Sequence, residues 1–343
     1  MAVAASPETQ TFSPRPFRPP AWAPGAHAQT LAGKLLRPRP SIRLRRERWE
    51  TPDGDLLLLD FADRPVQDAR PPARPAPLVL VLHGLEGHAL RPYALLAYQA
   101  LNALGVDAVG LNFRGCGGAP NLRPRSYHSG ETGDPRWLLE RLSERWPERP
   151  LGALGFSLGG NVLLKLLGEL GSDGAELLTA AVVVSVPFDL AAGADAFEDG
   201  FMMRAYARLF LRSLIGKLKP KRSLLEPLVA LEAAARAPTI RAFDDLVTAP
   251  LHGFRDAGHY YESCSSVRYL ERVRVPTLVL HSRDDPFLPA AALPEAALRA
   301  NPALSTVLTD RGGHVGFVEG LPWAPRFWAE SEAARFLAWG LGR

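Results

Sequence analysis

The chain has 343 residues, enough for one large catalytic domain with an insertion or for two modest domains. Hydrophobic residues make up 47% and charged residues 22%, a balance that excludes an intrinsically disordered chain. The formal net charge is +4, and the arginines are scattered apart from clusters at Arg43–Arg48 and Arg204–Arg222 with no recognition motif beside them, so no nucleic-acid partner is expected.

Only Cys116 and Cys264 are present, far apart in sequence, and they read as two thiols of a reducing compartment rather than a disulfide framework. The opening MAVAASPETQTFSPRPFRPP lacks the charged start and unbroken apolar run of a secretory signal. No uncharged apolar run approaches the ~20 residues that span a bilayer. A soluble, cytoplasmic protein is expected.

Residues 1–48 are rich in Pro and Arg without a clear period, and read as an irregular arm packed on the body only in part. ERWETPDGDLLLLDF then suggests two strands around a Pro-Asp-Gly-Asp turn, followed by a proline-heavy exposed loop, DRPVQDARPPARPAP. LVLVLHG at 78–84 is a strand-length apolar run, PYALLAYQALNALG at 92–105 has helical spacing with Gly105 as its stop, and VDAVGLNFRG is the next strand. PRWLLERLSERW at 135–146 is helical with Pro135 suited to the first turn. PLGALGF leads into SLGGNVLLKLLGEL, again strand then helix. LTAAVVVSVPF and VPTLVLHS repeat the buried-strand pattern, and Trp328 to Trp339 reads as a closing helix. Continuous apolar strands between helices predict a mostly parallel α/β sheet covered on both faces, with its core in residues 49–187 and 266–343.

Residues 188–265 break that rhythm. FMMRAYARLFLRSLIGKLKPK has helical spacing, with Arg204, Arg208 and Arg212 on one stripe and Phe201, Leu209 and Leu211 elsewhere. The segment reads as an inserted helical lid, either a solvated basic face or a guard over an acyl pocket that touches a membrane surface. Gly216 and Pro220 predict that this helix is short.

Gly155-Phe156-Ser157-Leu158-Gly159 matches G-x-S-x-G between a strand and an amphipathic helix, the context of a nucleophile elbow. A serine hydroxyl is a weak nucleophile without a base. In this arrangement the chain order is serine, acid, histidine. His314, in the glycine-flanked RGGHVGF, is the histidine beyond a plausible acid. The acid comes from PTLVLHSRDDPFLP, where Asp284 and Asp285 compete. Asp285 is favoured because Pro289 follows four residues on, the usual D-x-x-x-P placement in related hydrolases, and Asp284 then caps or braces the loop. Backbone N–H groups of Leu158 and of Leu85, in HGLEG, are the expected oxyanion donors, each contributing about 2.7–4 kcal/mol to the transition state. His83 reads as a brace for that loop. No H-E-x-x-H, C-x-x-C or phosphate-loop string is present, RGCGGAP opens no dinucleotide site, and His27, His88, His128, His252 and His259 have no partner spacing.

HGLEG, LNFRGCGG, RSYHSGET, GFSLGGNVLLK, RAFDDLVTAPLHGF, DAGHYYESCSS, RDDPF and GGHVGF together resemble the YheT-like branch of the α/β-hydrolases, related to eukaryotic α/β-hydrolase-domain lipases and plant embryogenesis-associated proteins. The early HAQTLAGKLLRPRP and TPDGDLLLLDF extend the likeness over nearly the whole chain, although LAGKLL lacks the proline expected there. The resemblance implies an esterase or lipase-like enzyme acting on a small-molecule ester or lipid, with the catalytic roles on Ser157, Asp285 and His314 and no cofactor. The same three groups would also serve an acyltransferase, and a non-catalytic scaffold is the alternative from another class.

Overall fold

The computed structural model describes residues 12–64 and 75–343; most of the proline-heavy loop expected at 63–77 lies outside the described residues. Eight strands form the main sheet: β1 (Arg45–Glu50), β2 (Leu56–Ala62), β3 (Leu78–Leu82), β4 (Asp107–Asn112), β5 (Leu151–Phe156), β6 (Ala180–Val184), β7 (Thr277–Ser282) and β8 (Leu304–Thr309). Their order is β1-β2-β4-β3-β5-β6-β7-β8. β1 and β2 form the expected antiparallel hairpin, β2 runs antiparallel to β4, and every other neighbour is parallel. Every residue of β3, β5, β6 and β7 is buried, as strands covered on both faces require.

Helices α1 (Ala26–Leu36), α2 (Pro92–Ala103), α3 (Gly133–Arg145) and α4 (Leu158–Leu170) are joined by the closing helix Trp328–Gly340. One face of the sheet packs Tyr98 and Leu101 of α2 with Phe336 and Leu337 of the closing helix. The opposite face packs Leu138 and Leu142 of α3 with Val162 and Leu166 of α4. β4 and β5 lie on either side of β3, so the strand order reverses there, and the carboxyl end of a sheet at such a reversal is where ligands enter this architecture. LNFRGCGG supplies a brace on that side. Buried Arg114 joins Asp134 of α3 (2.7 Å) to Asp53 (2.7 Å) and Asp55 (2.9 Å) of the β1–β2 turn.

Between β6 and β7 the chain is helical, as expected, and has its own small core around Leu211, Leu218, Leu225 and Phe243. Its longest helix, Gly200–Leu218, has 19 residues and runs through Gly216, contrary to the expectation of a short one. A glycine in a helix costs about 1 kcal/mol, and burial of Leu211 and Leu218 outweighs it. Pro220 falls in the next turn, Lys219–Lys221, at a position where a missing N–H breaks no bond. Asn161 of α4 ties the insertion to the sheet: it donates to Cys264 O (2.8 Å) and accepts from Ser266 N–H (2.9 Å).

The N-terminal arm is not irregular. It carries α1, and Phe12 and Phe17 pack edge-on against Phe336 and Phe317. β8 and a small hairpin of β9 (Val318–Leu321) and β10 (Ala324–Phe327) also lack a counterpart in the sequence reading. β8 lies at the sheet edge and is mostly half-buried, so its LSTVLT has no continuous apolar signal. Among the described residues no helix is long and apolar enough to cross a membrane.

Candidate active site

Ser157 stands at the turn from β5 into α4 with φ 53° and ψ −121°, a left-handed backbone that a serine adopts only under constraint. The constraint is packing. A Cβ at Gly155 would lie 2.5 Å from Gly159 O, and one at Gly159 would lie 2.5 Å from Leu82 O. The two glycines of G-x-S-x-G therefore let strand, helix and the end of β3 touch through backbone, and Ser157 N–H is fixed on Val184 O (2.8 Å).

The structure brings His314 and Asp285 to this serine. His314 Nε2 is 2.8 Å from Ser157 Oγ, and its Nδ1 is 2.9 and 3.0 Å from the two Asp285 oxygens. Asp285 is buried and also accepts from Phe287 N–H (2.8 Å). Asp284 points elsewhere: its Oδ1 accepts from Gly313 N–H (2.8 Å) and Ser282 Oγ–H (2.7 Å), bracing the histidine loop from below. Phe287 stacks on the imidazole, ring centres 4.1 Å apart.

Residues that sequence reasoning did not single out hold that loop. Thr30 Oγ1 of α1 accepts from His314 N–H (2.9 Å), and Ser185 Oγ accepts from Val315 N–H (2.9 Å). Arg37 donates to Val315 O (2.6 Å), to Gly316 O (3.1 Å) and to buried Glu330 (2.6 Å). A Cβ at Gly33 would meet Gly316 Cα at 2.8 Å, so α1 and the loop pack backbone to backbone. The quoted HAQTLAGKLLRPRP, which contains both Thr30 and Arg37, was the available signal for those two; Ser185 had none.

HGLEG lies against the serine, since a Cβ at Gly84 would be 3.0 Å from Ser157 Cβ. Gly84 N–H donates to Tyr93 Oη (3.0 Å) and Glu86 N–H to Tyr127 Oη (2.9 Å). The N–H groups of Leu85 and Leu158 have no protein acceptor among the described residues, which leaves them open to a ligand oxygen. His83 braces this loop, with Nδ1–H donating to Gly84 O (2.8 Å) and Nε2 accepting from Phe113 N–H (3.2 Å). Burial pushes it down to about 3, which keeps it neutral.

A cavity of about 570 Å³ opens over Ser157 and His314. Leu190, Phe197, Phe210, Leu214 and Ile240 of the insertion supply much of its apolar wall, and Lys34, Arg39 and Arg91 also line it. Two further polar features reach this cavity, through Asp244 and His128. Asp244 accepts from Tyr261 Oη–H (2.7 Å) and Thr248 Oγ1–H (2.5 Å), and burial pushes its carboxyl up to about 6. His128 packs against His252, ring centres 4.4 Å apart, and burial pushes the two down to about 3 and 4.

A serine hydroxyl donating to an imidazole that in turn donates to a buried carboxylate, beside two open amides, can take up an acyl group and stabilise the oxyanion that forms. The arrangement and the sheet define the class, an α/β hydrolase, and the family model described as "alpha/beta hydrolase fold" matches residues 77–321. Within that class the chain is 38% identical to the Escherichia coli (strain K12) protein YheT, named as an esterase, over 91% of this chain and 89% of that one. It is 31% identical to human phospholipase ABHD3, covering 89% of this chain and 74% of that one. A Pyrococcus furiosus esterase, Pf2001, shares the fold at 16% identity and a TM-score of 0.54, covering 95% of this chain and 98% of that one. The chain belongs to the YheT-like branch of the α/β-hydrolase family.

Proposed function

We propose that this hydrolase is a serine esterase acting on carboxylic esters with an apolar acyl or alcohol part. The observation that carries the reading is the unbroken chain of contacts from Ser157 Oγ through His314 to Asp285, on a strained elbow that opens into a largely apolar cavity. Ser157 Oγ attacks the ester carbonyl as its proton passes to His314 Nε2. Asp285 holds the Nδ1–H tautomer and stabilises the imidazolium. The N–H groups of Leu85 and Leu158 receive the oxyanion, His314 returns the proton to the departing alcohol, and water activated by His314 then hydrolyses the acyl-enzyme. The names of the relatives, esterase and phospholipase, agree with an ester or lipid substrate.

The insertion acts as a lid. Exposed Phe201, Leu209, Arg208 and Arg212 on its long helix, together with exposed Lys34, Leu35 and Arg39 of the N-terminal arm, suit this side of the protein to resting on an anionic lipid surface. The two buried free thiols suit a reducing cytoplasm. Intact-mass labelling with a fluorophosphonate, alongside a Ser157→Ala control, tests the reading. Stoichiometric labelling is expected at Ser157 and lost in the variant; an unlabelled, well-folded protein overturns it.

A further inference from the structure

Glu86, the residue after the proposed oxyanion donor Leu85, is held at every polar atom it has. Its backbone has φ 53°, a costly conformation for a glutamate. Its N–H donates to Tyr127 Oη, and its carbonyl accepts from Arg91 (2.8 Å). Its carboxylate is buried and accepts from Tyr127 Oη–H (2.7 Å), from Lys217 Nζ (2.7 Å) and from Ser213 Oγ–H. Ser213 and Lys217 lie four residues apart on Gly200–Leu218, so they share one face of the long insertion helix. Lys217 also reaches Cys116 Sγ (2.9 Å), in the loop after β4. Burial alone would lower the Lys217 ammonium, but Cys116 and Glu86 beside it hold it above the ordinary lysine range.

The body holds the backbone of the loop that presents Leu85 N–H: Gly84 N–H is on Tyr93, and Glu86 N–H and C=O are on Tyr127 and Arg91. The Glu86 carboxylate is what joins that loop to the insertion, through Ser213 and Lys217. Moving the helix away takes the cation and the serine hydroxyl from the carboxylate and leaves only Tyr127 and Arg91 to hold a residue of costly backbone conformation, which can then relax. A peptide rotation at 85–86 turns the donor away from the carbonyl oxygen, and that donor acts only through its aim.

We propose that Glu86 is a positioning residue through which the docked insertion helix sets the Leu85 N–H, so that the oxyanion site is complete only with the lid seated on Ser213 and Lys217. This rests on the esterase reading above. It makes the lid part of the catalytic geometry as well as the wall of the substrate cavity.

The test compares an oxoester with its thionoester, because amide donors stabilise an oxyanion far better than the larger, weaker-accepting thiolate sulfur. Glu86→Gln and the helix double variant Ser213→Ala/Lys217→Met are each measured with p-nitrophenyl butyrate and its thiono analogue. The expected result is a fall of about 10-fold in oxoester kcat with little change in KM, and thionoester kcat nearly unchanged. Combining the two sets should add little, because both break one linkage. A loss of general structure lowers both esters alike, so an unchanged oxoester-to-thionoester ratio in the helix double variant overturns the proposal, whatever Glu86→Gln does to folding. Ser157→Ala run in parallel separates the two levels: if it retains turnover of either ester, the esterase reading itself fails.

Discussion

Asp285→Asn separates the two adjacent carboxylates at the end of β7 by what each oxygen now touches. Both Asp285 oxygens face His314 Nδ1; when the Asn Oδ1 keeps the Phe287 N–H, the nearer site at 2.9 Å goes to the Nδ2 amide. That amide donates, which favours the tautomer with Nδ1 as acceptor and the ring proton on Nε2, 2.8 Å from Ser157 Oγ. The imidazole then has no lone pair for the serine proton. A wrong tautomer of this kind lowers kcat by about 10⁴, or about 5.5 kcal/mol in the barrier. Asp284→Asn differs, because its Oδ1 alone accepts from Gly313 and Ser282, and an amide oxygen serves both. Only charge assistance is lost, about 1 kcal/mol, and kcat should change less than about fivefold. Steady-state hydrolysis of p-nitrophenyl acetate, corrected for a Ser157→Ala background, reads both. Equal losses in the two variants, or a larger one in Asp284→Asn, would refute the assignment of Asp285 as the orienting carboxylate.

Arg37→Met should cost about 3–5 kcal/mol in urea unfolding, because it leaves Glu330 buried and without its cation; a cost under about 1 kcal/mol would mean the clamp on residues 315–316 contributes little. Acid should also destabilise the fold well above the carboxylate range. His83, His128, His252 and His281 are each pushed down by burial to about 3 or 4, so below about pH 6.5 the unfolded chain binds more protons and stability falls as pH drops towards 4. Asp244, pushed up to about 6, acts in the opposite sense between about pH 6 and 4. The net of about three protons gives a slope of at most about 4 kcal/mol per pH unit, and a denaturation midpoint that stays flat from pH 6.5 to 5 would count against neutral burial of these rings.

The buried strands were legible because a strand covered on both faces must be continuously apolar, and LVLVL, AAVVV and TLVLHS are nearly so. The elbow was legible because close backbone contact demands glycine at 155 and 159. The preference for Asp285 over Asp284 came from spacing to Pro289, and the contacts of the two side chains differ in that direction. The arm carries no such pattern, for a related reason. α1 meets the histidine loop through Gly33, Thr30 and the buried amide of Gln29, which touch backbone atoms rather than fill an apolar stripe, so no helical period announces them. The roles of Tyr127 and Glu86 were hidden in the same way, since a side chain serving a distant loop leaves no local pattern.

Helix α1, the first among the described residues, is seated by residues from the far end of the chain. Thr30 and His314 are 284 residues apart in the chain, and Arg37 joins its partner Glu330 across 293. A nascent polypeptide can therefore carry the serine elbow while α1 still waits for the histidine loop and Glu330 to be made. The span matched by the general family model, residues 77–321, contains Ser157, Asp285 and His314 but neither Thr30 nor the Arg37–Glu330 pair. A protease that cut the connection between α1 and β1, at residues 37–44, would leave the sheet whole and Ser157, Asp285 and His314 on it, yet sever the strut beneath the histidine loop from the body.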